Sequence, residues 1–324
     1  MGYPIPNPPP HPFILALINN SEQGLRDVSA FLRRFGSVNI PICSGHDYCK
    51  FVADGDRCVR IQLPIFWAID RYHWDRQWGF SKLRILLDHG AVLNVIHESR
   101  CVTPLYLALA EYENMGLARF LVENGANPNY GADVCPVMVK CIKGNQWWKP
   151  AERAYVVKYL LEIGTNPNQC DERGVPALLH AVNGRCPNDD IVKELLRWGA
   201  NPLRRTANPL QRRPRGVFMG HWQPKEEPKH ITPIELACAW GATSTLKIVL
   251  SHIPSEQHTA QLMQHPLYLA CERTGLLSTV EACLEYIPKE DEKMYSVLLQ
   301  GALYRACESD IVDTIHFLIK KIML

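Results

Sequence analysis

Residues 102–129 read VTPLYLALAEYENMGLARFLVENGANPN, and the fold turns on this stretch. Pro104 pre-sets φ for the first turn of a helix, where its missing N–H costs nothing, and Thr103 offers a hydroxyl to cap that turn. From Leu121 to Asn129 a second signature follows: apolar residues at helical spacing, then Gly125, Ala126 and Asn127-Pro128-Asn129. Glycine in that place supplies the left-handed residue that ends a helix, and the proline keeps it from resuming. The unit predicted is a helix, a short turn, an antiparallel helix, a glycine stop and an extended connection.

Both halves recur along the chain. The first returns as ITPIELACA (231–239) and HPLYLACE (265–272), and more loosely as HPFILAL (11–17), LPIFWAI (63–69), CPVMVKCI (135–142) and VPALLHAV (175–182). GALYRACE (301–308) is a last copy without the proline. Pro12, Pro64, Pro104, Pro136, Pro176, Pro233 and Pro266 are spaced by 52, 40, 32, 40, 57 and 33 residues, a period in the low thirties broken by insertions. The second half returns as LLDHGAVLN (86–94), LLEIGTNPN (160–168) and LLRWGANPL (195–203), with FLRRFGSVN (31–39) a weaker copy. Two helices this short cannot bury their apolar faces alone, so successive units must stack.

The pattern Thr103-Pro104-Leu105-x-x-Ala108, followed by Leu121-x-x-x-Gly125-Ala126-Asn127-Pro128-Asn129, resembles the ankyrin repeat. The resemblance implies an all-α fold, an ankyrin-type helical solenoid of stacked helix-turn-helix units with finger-like loops. About eight units fit residues 11–324 at the ankyrin period, after a Pro-rich tail at 1–10. It also implies a protein-recognition surface on the concave side, made by inner helices and fingertips. The finger residues are His97, Glu98 and Arg100, then Tyr130 and Asp133, then Asp171, Glu172 and Arg173.

Close packing of inner helices explains the small residues. Ala16, Ala68, Ala108, Ala237 and Ala270 each lie four after an anchoring proline, and Ala306 holds the matching place in the last unit. Cys141, Cys238, Cys271 and Cys307 come next in four units and Ala181 in another, so these cysteines are expected as packing residues. In two adjacent units the alanine place holds Lys140 and His180. Either the register slips by one, leaving Cys141 and Ala181 packed, or both side chains reach a polar pocket. The Thr before Pro survives only at Thr103 and Thr232, so most units lose that cap.

Three turns between paired helices are long: DRYHWDRQWGF (70–80), KGNQWWKPAERA (143–154) and NGRCPNDD (183–190). Trp74, Trp78, Trp147 and Trp148 sit in the first two, either folded back on the core or serving as binding anchors. Two insertions fall between units. In 40–62, Cys43, His46, Cys49 and Cys58 offer four zinc ligands in number, but the spacing matches no standard pairing, and free cysteines in a surface loop are expected. The insertion 203–230 holds five Arg and two Lys against two Glu, a local charge of +5. Arg204, Arg205, Arg212, Arg213 and Arg215, with Trp222 as an apolar anchor, make it a landing site for an acidic protein partner or else a solubilising insertion.

The remaining classes narrow quickly. The formal charge of the whole chain is only +2, from 35 basic and 33 acidic side chains, which gives no global reason to expect nucleic acid or a polybasic membrane anchor. No apolar run reaches the ~18–20 residues of a membrane span. The opening MGYPIPNPPPHP has no apolar stretch of a secretory signal, and position 6 is Pro rather than the Ser or Thr of a myristoylation pattern. Twelve cysteines in 324 residues are too few for a disulfide scaffold, so a reducing compartment, cytoplasmic and/or nuclear, is expected. GxSxG, GxxxxGK[ST], HExxH and GxGxxG after a strand are all absent. The expectation is a non-catalytic scaffold with no metal and no cofactor. The rival is an enzyme using Lys140 and His180 for acid–base work on a small apolar metabolite, which would require a closed, aromatic-lined cavity around one of them.

Overall fold

The computed structural model describes residues 12–19, 21–36, 38–39, 42–43, 61–74, 76–97, 100–131, 133–134, 136–144, 149–184, 187–207, 230–272, 277–288 and 292–323. The chain divides into two compact units, Met1–Val137 and Met138–Leu324.

The first unit is three helix pairs. Helices α1 (Pro12–Ile18) and α2 (Glu22–Phe35) form the first, and α3 (Pro64–Trp74) and α4 (Arg76–Asp88) the second. In the third, α5 (Pro104–Tyr106) runs on as a π-helical turn, Leu107–Glu111, before α6 (Met115–Glu123). Between the first two pairs, β1 (Ile42–Cys43) and β2 (Ile61–Gln62) pair antiparallel and close the stem of the first insertion. Inner helices α1, α3 and α5 pack in sequence, and α2 packs on α4.

The second unit carries five pairs. Helix α7 (Val137–Lys143) opens at the boundary and is followed by α8 (Pro150–Glu162), α9 (Ala177–Val182) and α10 (Asp189–Arg197). The strands β3 (Thr206–Ala207) and β4 (His230–Ile231) pair antiparallel at the base of the second insertion. Then come α11 (Pro233–Trp240), α12 (Thr243–Ser251), α13 (Ala260–Cys271), α14 (Leu277–Glu285), α15 (Glu292–Glu308) and α16 (Val312–Ile322). Here α9, α11, α13 and α15 stack as inner helices, and α8, α10, α12, α14 and α16 as outer ones. Among the described residues no helix is long and apolar enough to cross a membrane.

Local chemistry sets the boundaries. Gly36, Gly90, Gly125, Gly164 and Gly199, the five glycine stops of the second signature, all have φ between 73° and 97°, where any side chain is strained. Thr103 and Thr232 accept from the N–H of Tyr106 and Glu235, at 3.1 and 3.2 Å. Outer helices have caps of their own: Ser21 starts α2, Asn114 α6 and Asn188 α10. The alanines at 16, 68, 108, 237, 270 and 306 are buried, as are Cys141, Cys238, Cys271 and Ala181.

Three expectations need correction. Residues 70–80 are almost wholly helical rather than a turn: Trp74 is the last residue of α3, and Trp78 lies half-buried in α4. Pro266 does not start a helix. It sits inside α13, which begins at Ala260 behind the Thr259 cap; the cap chemistry overrides the single lost backbone bond of the proline. Cys307, expected as a packing residue, is exposed on α15.

Three asparagines at the end of the second signature stitch each pair to the next. Asn39 donates from Nδ2 to the Gly90 carbonyl at 2.9 Å, and its Oδ1 accepts from the Val92 N–H at 2.9 Å. Asn94 does the same with Gly125 and Asn127, at 3.1 and 2.7 Å. In the second unit Asn168 repeats it with Gly199 and Asn201, at 3.1 and 2.9 Å. Each amide thus satisfies one orphan carbonyl and one N–H at the helix stop of the following repeat.

Candidate functional site

The finger loops lie where an extended connection meets the next inner helix. In the first unit the His97 N–H donates to the Val102 carbonyl and the Cys101 N–H to the His97 carbonyl, both at 2.8 Å. His97 is only 4% exposed and stands edge-on to Phe66. Its Nδ1 accepts from the Arg100 N–H at 3.3 Å. His97 therefore builds the loop from inside and is not a contact residue. Arg100 is exposed, held at 3.4 Å from Asp70 and 3.2 Å from Glu111, while the Tyr112 hydroxyl also donates to Asp70. Glu98 lies outside the described residues. Tyr130, 41% exposed, and Asp133 stand out from the next finger.

The finger of the second unit is organised by Asp171. Its Oδ1 accepts from the N–H groups of Arg173 and Val175, both at 3.0 Å. Its Oδ2 is 2.9 Å from Lys143 Nζ and 2.9 Å from His180 Nε2. The carboxylate is only 5% exposed, so Asp171, expected to meet a partner, instead anchors the loop. Burial alone would raise its pKa, but the Lys143 hydrogen bond, the two backbone donors and His180 overcome this and hold it at about 2. Burial, with the Lys143 charge, pushes His180 below its ordinary value against the pull of Asp171. Glu172 and Arg173 project from the same finger and are exposed.

A second buried carboxylate lies further along the same unit. Glu235 closes a capping box with Thr232 and takes Arg205 at 3.0 Å and His265 at 2.8 Å on one oxygen. Burial works to raise its pKa, and the His265 and Thr232 hydrogen bonds with Arg205 bring it below the usual value. Arg205 is thus tied at the base of the basic insertion, whereas Arg204 is exposed, 3.5 Å from the Asn168 carbonyl. Arg212, Arg213, Arg215 and Trp222 lie outside the described residues, as do Trp147 and Trp148.

Lys140 is half-buried beside the packed Cys141, and Ala181 is packed beside His180. The register slips by one in both units, and His180 also reaches a polar pocket. That pocket is a partly open cavity of about 420 Å³ in the second unit, with Lys143, Arg153, His180, Asn183 and Asn188 among its lining. Lys140 does not line it, and neither does any Trp, Tyr or Phe among the described residues. Of the zinc candidates, Cys43 falls in β1 and the other three outside the described residues; among the described residues no three His, Cys, Asp or Glu side chains could hold a metal together.

Two groups had no signal in the sequence. Lys82 is fully buried in α4, its Nζ donating to the carbonyls of Leu17 and Asn19 at 2.6 and 2.8 Å, which closes the end of α1 from the next repeat. Cys238 and Cys283 are buried with their sulfurs 3.6 Å apart. Burial is the main reason that both Cys238 and Cys271 are held well above the usual thiol range, which leaves them poor nucleophiles.

The sequence model of the ankyrin repeat matches residues 102–133, the third helix pair and its finger. Residues 102–133 are therefore an ankyrin repeat. The fold of the chain is similar to an ankyrin repeat domain from Acinetobacter baumannii AYE, with 19% identity, a TM-score of 0.47 and coverage of 74% of this chain and 97% of that one. It is also similar to the human ASB11 ankyrin repeat domain, with 19% identity, a TM-score of 0.42 and coverage of 68% and 83%. Ankyrin repeats are in general protein-interaction modules.

Proposed function

We propose that this chain is a non-catalytic scaffold whose finger loops and inner helices bind a partner protein, one of acidic character. One observation carries the reading. The Asn ladder and the Asp171 cluster fix the loop backbones from within, while Tyr130, Asp133, Glu172 and Arg173 are left exposed on them. A rigid loop with exposed Tyr and Arg loses little entropy on binding, and such residues dominate interface energetics. The basic side chains of the second insertion would add steering, which weakens as salt rises.

Two variants test the reading unit by unit: Tyr130→Ser with Asp133→Asn, and Glu172→Gln with Arg173→Gln. Each should keep the helical circular dichroism of the native protein. Affinity capture with quantitative mass spectrometry should show a reproducible partner retained by the native chain and depleted at least about fivefold by one variant, the effect of ~1 kcal/mol. Identical capture by all three proteins would count against it. The rival enzyme reading needs a closed, aromatic-lined cavity around Lys140 or His180, and the cavity that His180 lines is partly open with no Trp, Tyr or Phe among its described lining.

A further inference from the structure

The cavity of the second unit has a one-sided charge. Its walls come from the end of α7, the start of α8, the end of α9 and the start of α10, and among the described residues its ionisable lining is Lys143, Arg153 and His180, with no carboxylate. The adjacent Asp171 is spent, since both its oxygens already accept two donors each. It offsets Lys143 and leaves Arg153, which no carboxylate pairs among the described residues. The Nε of Arg153 is buried and has no acceptor. Arg153 lines the cavity, and a carboxylate, whose two oxygens match the guanidinium fork, is the group that would balance its charge there.

The cavity is also built to keep its shape. Asn188 caps α10 and donates from Nδ2 to the Pro150 carbonyl at 2.8 Å, joining the starts of α8 and α10. Asn183 accepts from Trp240 Nε1 at 3.1 Å. Gly144, at φ 71°, leaves room for Arg153; a Cβ there would come within 2.7 Å of its Nη1. The guanidinium therefore lies directly against the Gly144 backbone.

We infer that this cavity receives an Asp or Glu side chain from an acidic segment of the partner, with Arg153 as its main hydrogen-bond donor and Lys143 and His180 beside it. The inference rests on the protein-binding reading and names where that partner is gripped. At about 420 Å³ the space takes one or two side chains rather than a folded element. A planar fork pairs with the oxygens of a carboxylate or a phosphate alike, so inorganic phosphate is the control that separates the two.

The test uses the full chain and an acetylated, amidated Glu-rich heptapeptide as probe, with its Gln counterpart and inorganic phosphate as controls. Nuclear magnetic resonance should show saturable shifts at the Arg153 Nε–H and the His180 ring with the Glu peptide alone. The His180 pKa should rise on binding, because an added negative charge opposes the burial, Lys143 and Arg173 that lower it and joins Asp171. Arg153→Gln should weaken binding at least about tenfold, and Arg153→Lys should recover part of that. Shifts spread over surface lysines, or equal affinity in Arg153→Gln, would overturn the assignment, and equal binding of phosphate would overturn the carboxylate. If Arg153→Gln still captures the native partner at full strength, the cavity is wrong while the scaffold stands; if the native chain itself holds no reproducible partner, the scaffold reading fails.

Discussion

Asp171 shows how one side chain holds a whole finger loop in place. It supplies acceptors for two backbone N–H groups of its own finger, for the Lys143 ammonium and for the His180 ring. Asp171→Ala should therefore cost roughly 2–4 kcal/mol near pH 7, read as a lowered urea midpoint with an unchanged slope. The pH dependence has a definite sign. A carboxylate whose folded pKa is about 2, against an ordinary 3.8, contributes stability that is fully present above the ordinary value and lost as pH falls towards the folded one. The native protein should lose its advantage over Asp171→Ala between about pH 4 and pH 2. A difference that stays constant through that window would show that the carboxylate charge is not what holds the finger. Little of this was legible in the chain: Asp171 reads there as an exposed fingertip, because nothing in DERG reports that Lys143 and His180 approach it from two other helices.

At the level of elements, the helix stops were legible and their stitching was not. Gly90, Gly125 and Gly199 announce themselves by spacing and by the need for positive φ. The Asn that closes each signature repeats just as plainly, but its partners lie on the next repeat, a distance no local pattern encodes. Asn94→Ala removes two hydrogen bonds, to the Gly125 carbonyl and from the Asn127 N–H. The expected cost is about 1–3 kcal/mol, with hydrogen exchange at the Asn127 amide speeding up more than at the amides within α6. Unchanged exchange at Asn127 would assign the ladder no structural weight. Lys82 was illegible for a similar reason: alone it reads as a surface lysine, and only the stacked α1 supplies the carbonyls that make its burial tolerable. Helix starts in the last pairs were misread because Pro266 is a reliable first-turn marker only where no better cap precedes it, and Thr259 does.

Across the whole molecule, eight helix pairs are described, matching the number of units read from the repeats. In the second unit, α15 and α16 leave apolar side chains in solvent: Val297, Tyr304 and Val312 are 55–63% exposed, and Cys307 is exposed as well. The proposed binding role separates the fingers, which carry exposed side chains on hydrogen-bonded loops, from the outer helices, which carry solvated lysines such as Lys158 and Lys193. Site-specific photo-crosslinking tests that separation directly. A benzophenone amino acid is placed singly at positions 130, 173, 158 and 193 of the full chain, and crosslinked partners are identified by mass spectrometry. The expected result is a shared, reproducible partner crosslinked from 130 or 173 and absent from 158 and 193. Crosslinks to that partner only from 158 and 193 would contradict the assignment of binding to the fingers.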